Sequence, residues 1–178
     1  MTLPNYITLF RILLVPFFFT ALVSYDSGQE SNRWIALALF AVAVSTDALD
    51  GFLARVMHKK TNLGRFLDPL ADKLLLLSGF LGILFVPTLL YRPPLWVTVT
   101  IVFRDLVIVA GLVIVYLLNG KLHVRPNFLG KMTTAFQMFT FIAILLEWKM
   151  AIPLWYTTAG ITILSGITYV ARDLDQLK

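Results

Sequence analysis

Asp47, Asp50, Asp68 and Asp72 lie close together in a chain that is otherwise strongly apolar, in the stretches Asp47-Ala-Leu-Asp50-Gly51-Phe-Leu-Ala54-Arg55 and Gly64-Arg-Phe-Leu-Asp68-Pro-Leu-Ala-Asp72. An acid at the centre of a membrane-inserted helix costs roughly 2.5–3.5 kcal/mol, so four together require a purpose. Positions 47 and 50 are three apart and 68 and 72 four apart, so each pair shares one face of a helix. Two helices could therefore aim two carboxylates apiece at one point. Carboxylates converging in a low-dielectric site do not all stay ionised unless a cation neutralises them. An all-oxygen donor set, with no Cys or His beside it, suits Mg²⁺, Mn²⁺ or Ca²⁺. The spacing reads as a metal site.

The elements that must position these acids follow from composition. The chain has 178 residues, of which 58% are hydrophobic, and a mean hydropathy of +0.81. The length predicts a single domain over 1–178, and the apolar runs predict an all-α, polytopic integral membrane protein. The absence of cysteine excludes disulfides, zinc-thiolate and iron–sulfur sites and cysteine nucleophiles. The net charge of +5 comes from basic residues in short loops between apolar spans. That distribution points to membrane lipids and phosphate-bearing substrates, with no nucleic acid as partner. The N-terminal stretch superficially resembles a signal peptide, but a retained first transmembrane helix is expected.

Six transmembrane helices are predicted, over 4–25, 34–57, 66–86, 95–118, 130–147 and 153–172. The turns between them hold Tyr25–Asn32, Pro87, Pro93-Pro94, Asn119-Gly120 and Pro126-Asn127. Pro153 is expected to open the last helix. Arg11, Arg55, Lys59, Lys60, Arg65, Lys121, Arg125, Lys131, Arg172 and Lys178 fall on one side, against Arg33, Arg92 and Lys149 on the other. The positive-inside rule then places both N- and C-termini in the cytoplasm. All four aspartates come to one depth, just inside the cytoplasmic face of a cell membrane of bacterial type. Trp34, Trp96, Trp148 and Trp155 are expected to form an aromatic belt at the external interface.

Gly51, Ala54 and Gly64 accompany the acids, where small residues either admit a bulky polar group or permit close helix packing. Arg55 could reach an anionic group or snorkel to the interface. Gly79, Gly82, Gly111 and Gly166 are read as packing residues. Arg104, mid-way along the fourth helix, is too costly there unless it lines a polar cavity or ties helices together. Its neighbour Asp105 points about 100° away around the helix, so the two need not pair. His58 and His123 read as solvated loop residues.

The pattern Asp-x2-Asp-Gly-x2-Ala-Arg-x8-Gly-x3-Asp-x3-Asp is met by Asp47, Asp50, Gly51, Ala54, Arg55, Gly64, Asp68 and Asp72. It resembles the signature of the CDP-alcohol phosphatidyltransferases, a family of six-helix membrane enzymes. Pro4-Asn5-x2-Thr8-x2-Arg11 is similar to the family's N-terminal segment. Gly130-Lys131-x-Thr133-Thr134-x2-Gln137 is similar to its fifth-helix segment. The resemblance implies transfer of a phosphatidyl group from a CDP-linked lipid to an alcohol, with release of CMP. It implies that Asp47, Asp50 and Asp68 ligate one or two Mg²⁺ or Mn²⁺ ions, with Asp72 as the base and a further metal contact. Arg55, Gly51, Ala54 and Gly64, with Asn5 and Thr8, would then bind the CDP-lipid. A homodimer is likewise implied by the family alone.

A cationic group made of Arg104, Lys131, Arg125 and Lys59 or Lys60 suits an acceptor that carries its own phosphate. Glycerol 3-phosphate fits this description, and the chain resembles the phosphatidylglycerophosphate-forming branch of the family. The Arg104-Asp105 pair instead resembles the cardiolipin-forming branch, whose acceptor is phosphatidylglycerol. Outside the family, a membrane ion transporter is the alternative from intramembrane acids, and a lipid-binding protein without catalysis is a third.

Overall fold

A computed structural model describes residues 3–26, 28–56, 62–119 and 128–176. These residues form six helices and no strand: α1 (Leu3–Val23), α2 (Glu30–Val56), α3 (Asn62–Leu84), α4 (Leu95–Asn119), α5 (Phe128–Leu145) and α6 (Ala151–Gln176). The predicted helices are all present, with shifted ends. Helix α2 starts four residues early, at Glu30, where an acid in the first turn complements the helix dipole. Helix α3 also starts four residues early. Gly64 is therefore inside its first turn rather than ahead of it, and Asp68 and Asp72 lie a turn deeper than expected. Pro153 is the third residue of α6 rather than its first, still within the turn where a missing N–H costs no helix bond.

The chain divides into two compact units. One comprises Met1–Thr88 with Ile108–His123, the other Leu89–Val107 with Val124–Lys178. In the first unit α1 packs on both α2 and α3. Its buried face carries Thr8, Arg11, Phe18 and Leu22, spaced to fall on one side of the helix. The rings of Phe18 and Phe40 meet at 5.7 Å. Helix α3 approaches α1 so closely at Gly82 that a Cβ there would stand 2.6 Å from Leu22 Cδ2. Gly82 is a packing residue, as expected.

In the second unit α5 packs along α6, and the seam is polar. Thr133, Gln137 and Thr140 face inward from α5, and Thr158, Thr162 and Ser165 from α6, all buried. The Thr140 and Thr158 hydroxyls are 2.7 Å apart. The turn between the helices is a Schellman cap. The Trp148 N–H donates to Ala143 O (2.9 Å) and the Glu147 N–H to Ile144 O (3.0 Å), with Glu147 at φ 52° in the position usually held by glycine.

Large apolar side chains point outward from both units, among them Leu13, Phe17, Phe85, Phe103, Phe139 and Ile167. Threonines, a glutamine and arginines point inward. The interior is still mostly apolar, with Phe18, Phe40, Phe80 and Phe141 fully buried, but polar groups set into it beneath an outward apolar surface fit a lipid solvent. Among the described residues, α1 over Tyr6–Val23 and α5 over Phe128–Leu145 are long and apolar enough to cross a membrane. Trp34, Trp96 and Trp148 are exposed, but Trp155 is buried, so it belongs to the helix packing and not to the expected belt.

Candidate active site around Asp47 and Asp72

Helix α1 brings one acid from each predicted pair together. The Arg11 guanidinium donates through Nη1 to Asp47 Oδ1 at 2.8 Å and to Asp72 Oδ1 at 2.9 Å. The two carboxylate oxygens are thus no more than two hydrogen-bond lengths apart, although one sits on α2 and the other on α3. Arg11 is wholly buried, whereas the side chains of Asp47 and Asp72 are 33% and 26% exposed. The arginine reaches the pair from the packed side and leaves the carboxylates an open one.

Arg11 had two sequence signals: its place three residues after Thr8 and its isolation in an apolar helix. Counting it as a charge near the cytoplasmic interface hid its role. Its burial rules out the snorkelling geometry of an interfacial anchor. Thr8, one turn before it on the same buried face, is fully enclosed.

The other signature positions are placed less fully. Asp50, Gly51, Ala54 and Arg55 lie on α2, Gly64 and Asp68 on α3, and Asn5 on α1, while their side chains lie outside the described residues. Lys59, Lys60 and Arg125, with His58 and His123, lie outside the described residues altogether. Among the described residues no group of three potential metal ligands is found, and the side chains of the other two signature acids, Asp50 and Asp68, are outside that set. The described pair fits a hard cation in kind: oxygen donors from two helices, convergent and partly open.

In the second unit Arg104 is buried and doubly engaged. Its Nη1 donates to Asp105 Oδ1 at 2.8 Å and its Nη2 to Ser165 Oγ at 2.6 Å. Helix geometry left open whether Arg104 and Asp105 pair, and in the structure they do. A long guanidinium stem can fold back along the helix, and burial of Asp105, 1% exposed, makes an unpaired carboxylate too expensive there. Gly166, across from it on α6, lies 3.9 Å from Arg104 Cγ by the position its Cβ would take. Lys131 is exposed on α5. Ser165 had no clear sequence signal as a partner of Arg104. Gln137 is fully buried, and neither amide atom has a hydrogen-bond partner among the described residues.

The family model for CDP-alcohol phosphatidyltransferase matches residues 1–170, which takes in both units and every signature position. The chain belongs to the CDP-alcohol phosphatidyltransferases. It is 34% identical over 193 aligned residues to the CDP-diacylglycerol–glycerol-3-phosphate 3-phosphatidyltransferase of Bacillus subtilis, covering 99% of this chain and 97% of that one. The Escherichia coli K12 protein of the same name is 36% identical, covering 90% of this chain and 84% of its own. A cardiolipin synthase (CMP-forming) from Streptomyces coelicolor is 36% identical over 83% of this chain and 66% of its own. Membership of this family makes the chain a phosphatidyltransferase of phospholipid synthesis and sets aside the ion-transporter alternative.

Proposed function

We propose that this phosphatidyltransferase moves the phosphatidyl group of CDP-diacylglycerol onto glycerol 3-phosphate, giving phosphatidylglycerophosphate and CMP. The observation that carries the reading is the convergence of Asp47 and Asp72 from two helices, inside a signature that matches its family over 1–170. Full-length similarity to relatives named for glycerol 3-phosphate supports the choice of acceptor.

Asp47, Asp50 and Asp68, with Asp72 at the edge of the set, would hold one or two Mg²⁺ or Mn²⁺ ions. A bound divalent cation supplies charge neutralisation for the diphosphate and for the departing phosphate of CMP. Asp72 takes the proton from the acceptor hydroxyl as its oxygen bonds to the phosphatidyl phosphorus and the bond to the CMP oxygen breaks. Direct attack is expected, because no Ser, Cys or His nucleophile stands in the signature. Arg55 holds the diphosphate, while Asn5, Thr8, Gly51, Ala54 and Gly64 shape the CDP-lipid site. Arg104 and Lys131, with Arg125, Lys59 and Lys60, bind the acceptor phosphate.

The same reading makes 1–178 one functional domain of six transmembrane helices. Both termini and the active site face the cytoplasm, and the protein works as a homodimer among membrane lipids. The basic loops on one side and the outward apolar side chains support the topology, and the homodimer rests on the family resemblance alone.

Phosphatidylglycerol as acceptor, giving cardiolipin, is the second reading. It is favoured by the Streptomyces coelicolor relative and the Arg104–Asp105 pair. Purified protein given CDP-diacylglycerol, Mg²⁺ and each acceptor in turn separates the two. Lipid product and CMP with glycerol 3-phosphate alone are expected. Cardiolipin from phosphatidylglycerol alone would replace the first reading with the second.

A further inference from the structure

We propose that Arg11 sets the metal affinity of the acidic cluster, because its guanidinium competes with a divalent cation for the Asp47 and Asp72 carboxylates. The inference rests on the reading of those aspartates as metal ligands. A single nitrogen, Nη1, serves both carboxylates, at 2.8 and 2.9 Å, so Arg11 occupies the point on which the pair converges. Its side chain is wholly enclosed on the packed face of α1. Its charge has no route to water and must be neutralised where it lies.

The aspartates keep about a quarter to a third of their side chains exposed. A metal can therefore reach them from the open side while the arginine holds them from the other. A unit positive charge in contact with two ligands opposes a dication at the same ligands. The arrangement holds α2 and α3 in register at the expense of metal affinity. A residue that only pre-oriented the carboxylates would act the other way, since losing it would weaken metal binding.

Mn²⁺ titration of chelator-treated, full-length protein in detergent tests this, followed by electron paramagnetic resonance of the free ion. Arg11→Gln is expected to bind Mn²⁺ at least about tenfold more tightly than wild type, since it removes the competing charge. Its melting temperature without metal should fall, and Mn²⁺ should raise it by more than it raises that of wild type. Arg11→Lys keeps the charge but loses the planar fork. It should bind Mn²⁺ more tightly than wild type by a smaller factor, and it carries the test if the glutamine variant does not fold. Equal or weaker Mn²⁺ binding in the folded variants overturns the proposal. Wild-type protein that binds no Mn²⁺, with Asp47→Asn and Asp68→Asn indistinguishable from it, would sink the metal reading itself.

Discussion

Arg11 in the first unit and Arg104 in the second are both buried, and the two are used differently. Arg11 joins carboxylates from two other helices, 36 and 61 residues away in sequence, both partly open to the surroundings. Arg104 is paired with the very next residue and with one hydroxyl on α6, all of them buried. The first arrangement gathers groups that remain available for chemistry. The second closes a charge off with its nearest neighbour and ties α4 to α6. A buried charge is therefore a poor guide to a reactive centre by itself. What distinguishes the two is whether the partners keep an open side.

The largest expected effect tests whether the open pair is where chemistry happens. Asp72→Asn keeps the shape of the side chain and removes its ability to take a proton. Turnover should fall by about 10²–10⁴-fold, the usual contribution of a general base, while CDP-diacylglycerol still binds in an equilibrium assay. Near-normal turnover would break the assignment of Asp72 as the base.

The enclosed arginine gives the next test. Arg104→Gln alone takes the guanidinium away from buried Asp105, and breaking a buried pair from one side costs about 3–5 kcal/mol. The double variant Arg104→Gln with Asp105→Asn removes both charges and should recover most of that stability in thermal unfolding. If Arg104 also binds the acceptor phosphate, the double variant should still show a KM for glycerol 3-phosphate raised about 10–100-fold, the loss of one charged hydrogen bond. An unchanged KM would leave Arg104 as a tie between helices.

The smallest effect compares packing in the two units. Gly82→Ala would press a Cβ against Leu22, 2.6 Å away, and should cost about 1–2 kcal/mol. Gly160→Ala has nothing within 4 Å of the new Cβ and should be neutral, or stabilising by up to about 1 kcal/mol from helix propensity. Melting temperatures of the two variants in one detergent give the contrast directly. If they shift alike, the close approach of α1 and α3 is not a constraint.

Much of the fold was legible from apolar runs and turn residues, because helix length in such a chain follows from how long hydrophobicity persists. Helix ends were less so, since Glu30 and Asn62 extend their helices through residues that composition assigns to turns. In the site, the spacing of Asp47 with Asp50 and of Asp68 with Asp72 predicts which acids share a face of each helix. It did not show which acid of one helix meets which of the other. Arg11 was visible as an isolated charge, yet nothing local distinguishes an arginine at a helix end from one turned inward. Trp155 misled for the same reason: its place near a helix end suggested an interface, and packing buried it.

The sequence alone determined the helices, the acidic pairs and the family, because periodicity, hydrophobicity and motif spacing are properties of the chain itself. Only the tertiary structure decided that Arg11 faces Asp47 and Asp72, and that Arg104 turns back to Asp105 and across to Ser165. Such pairings depend on which faces of separate helices are pressed together. In a low-dielectric interior, that packing chooses the partner each charge must take.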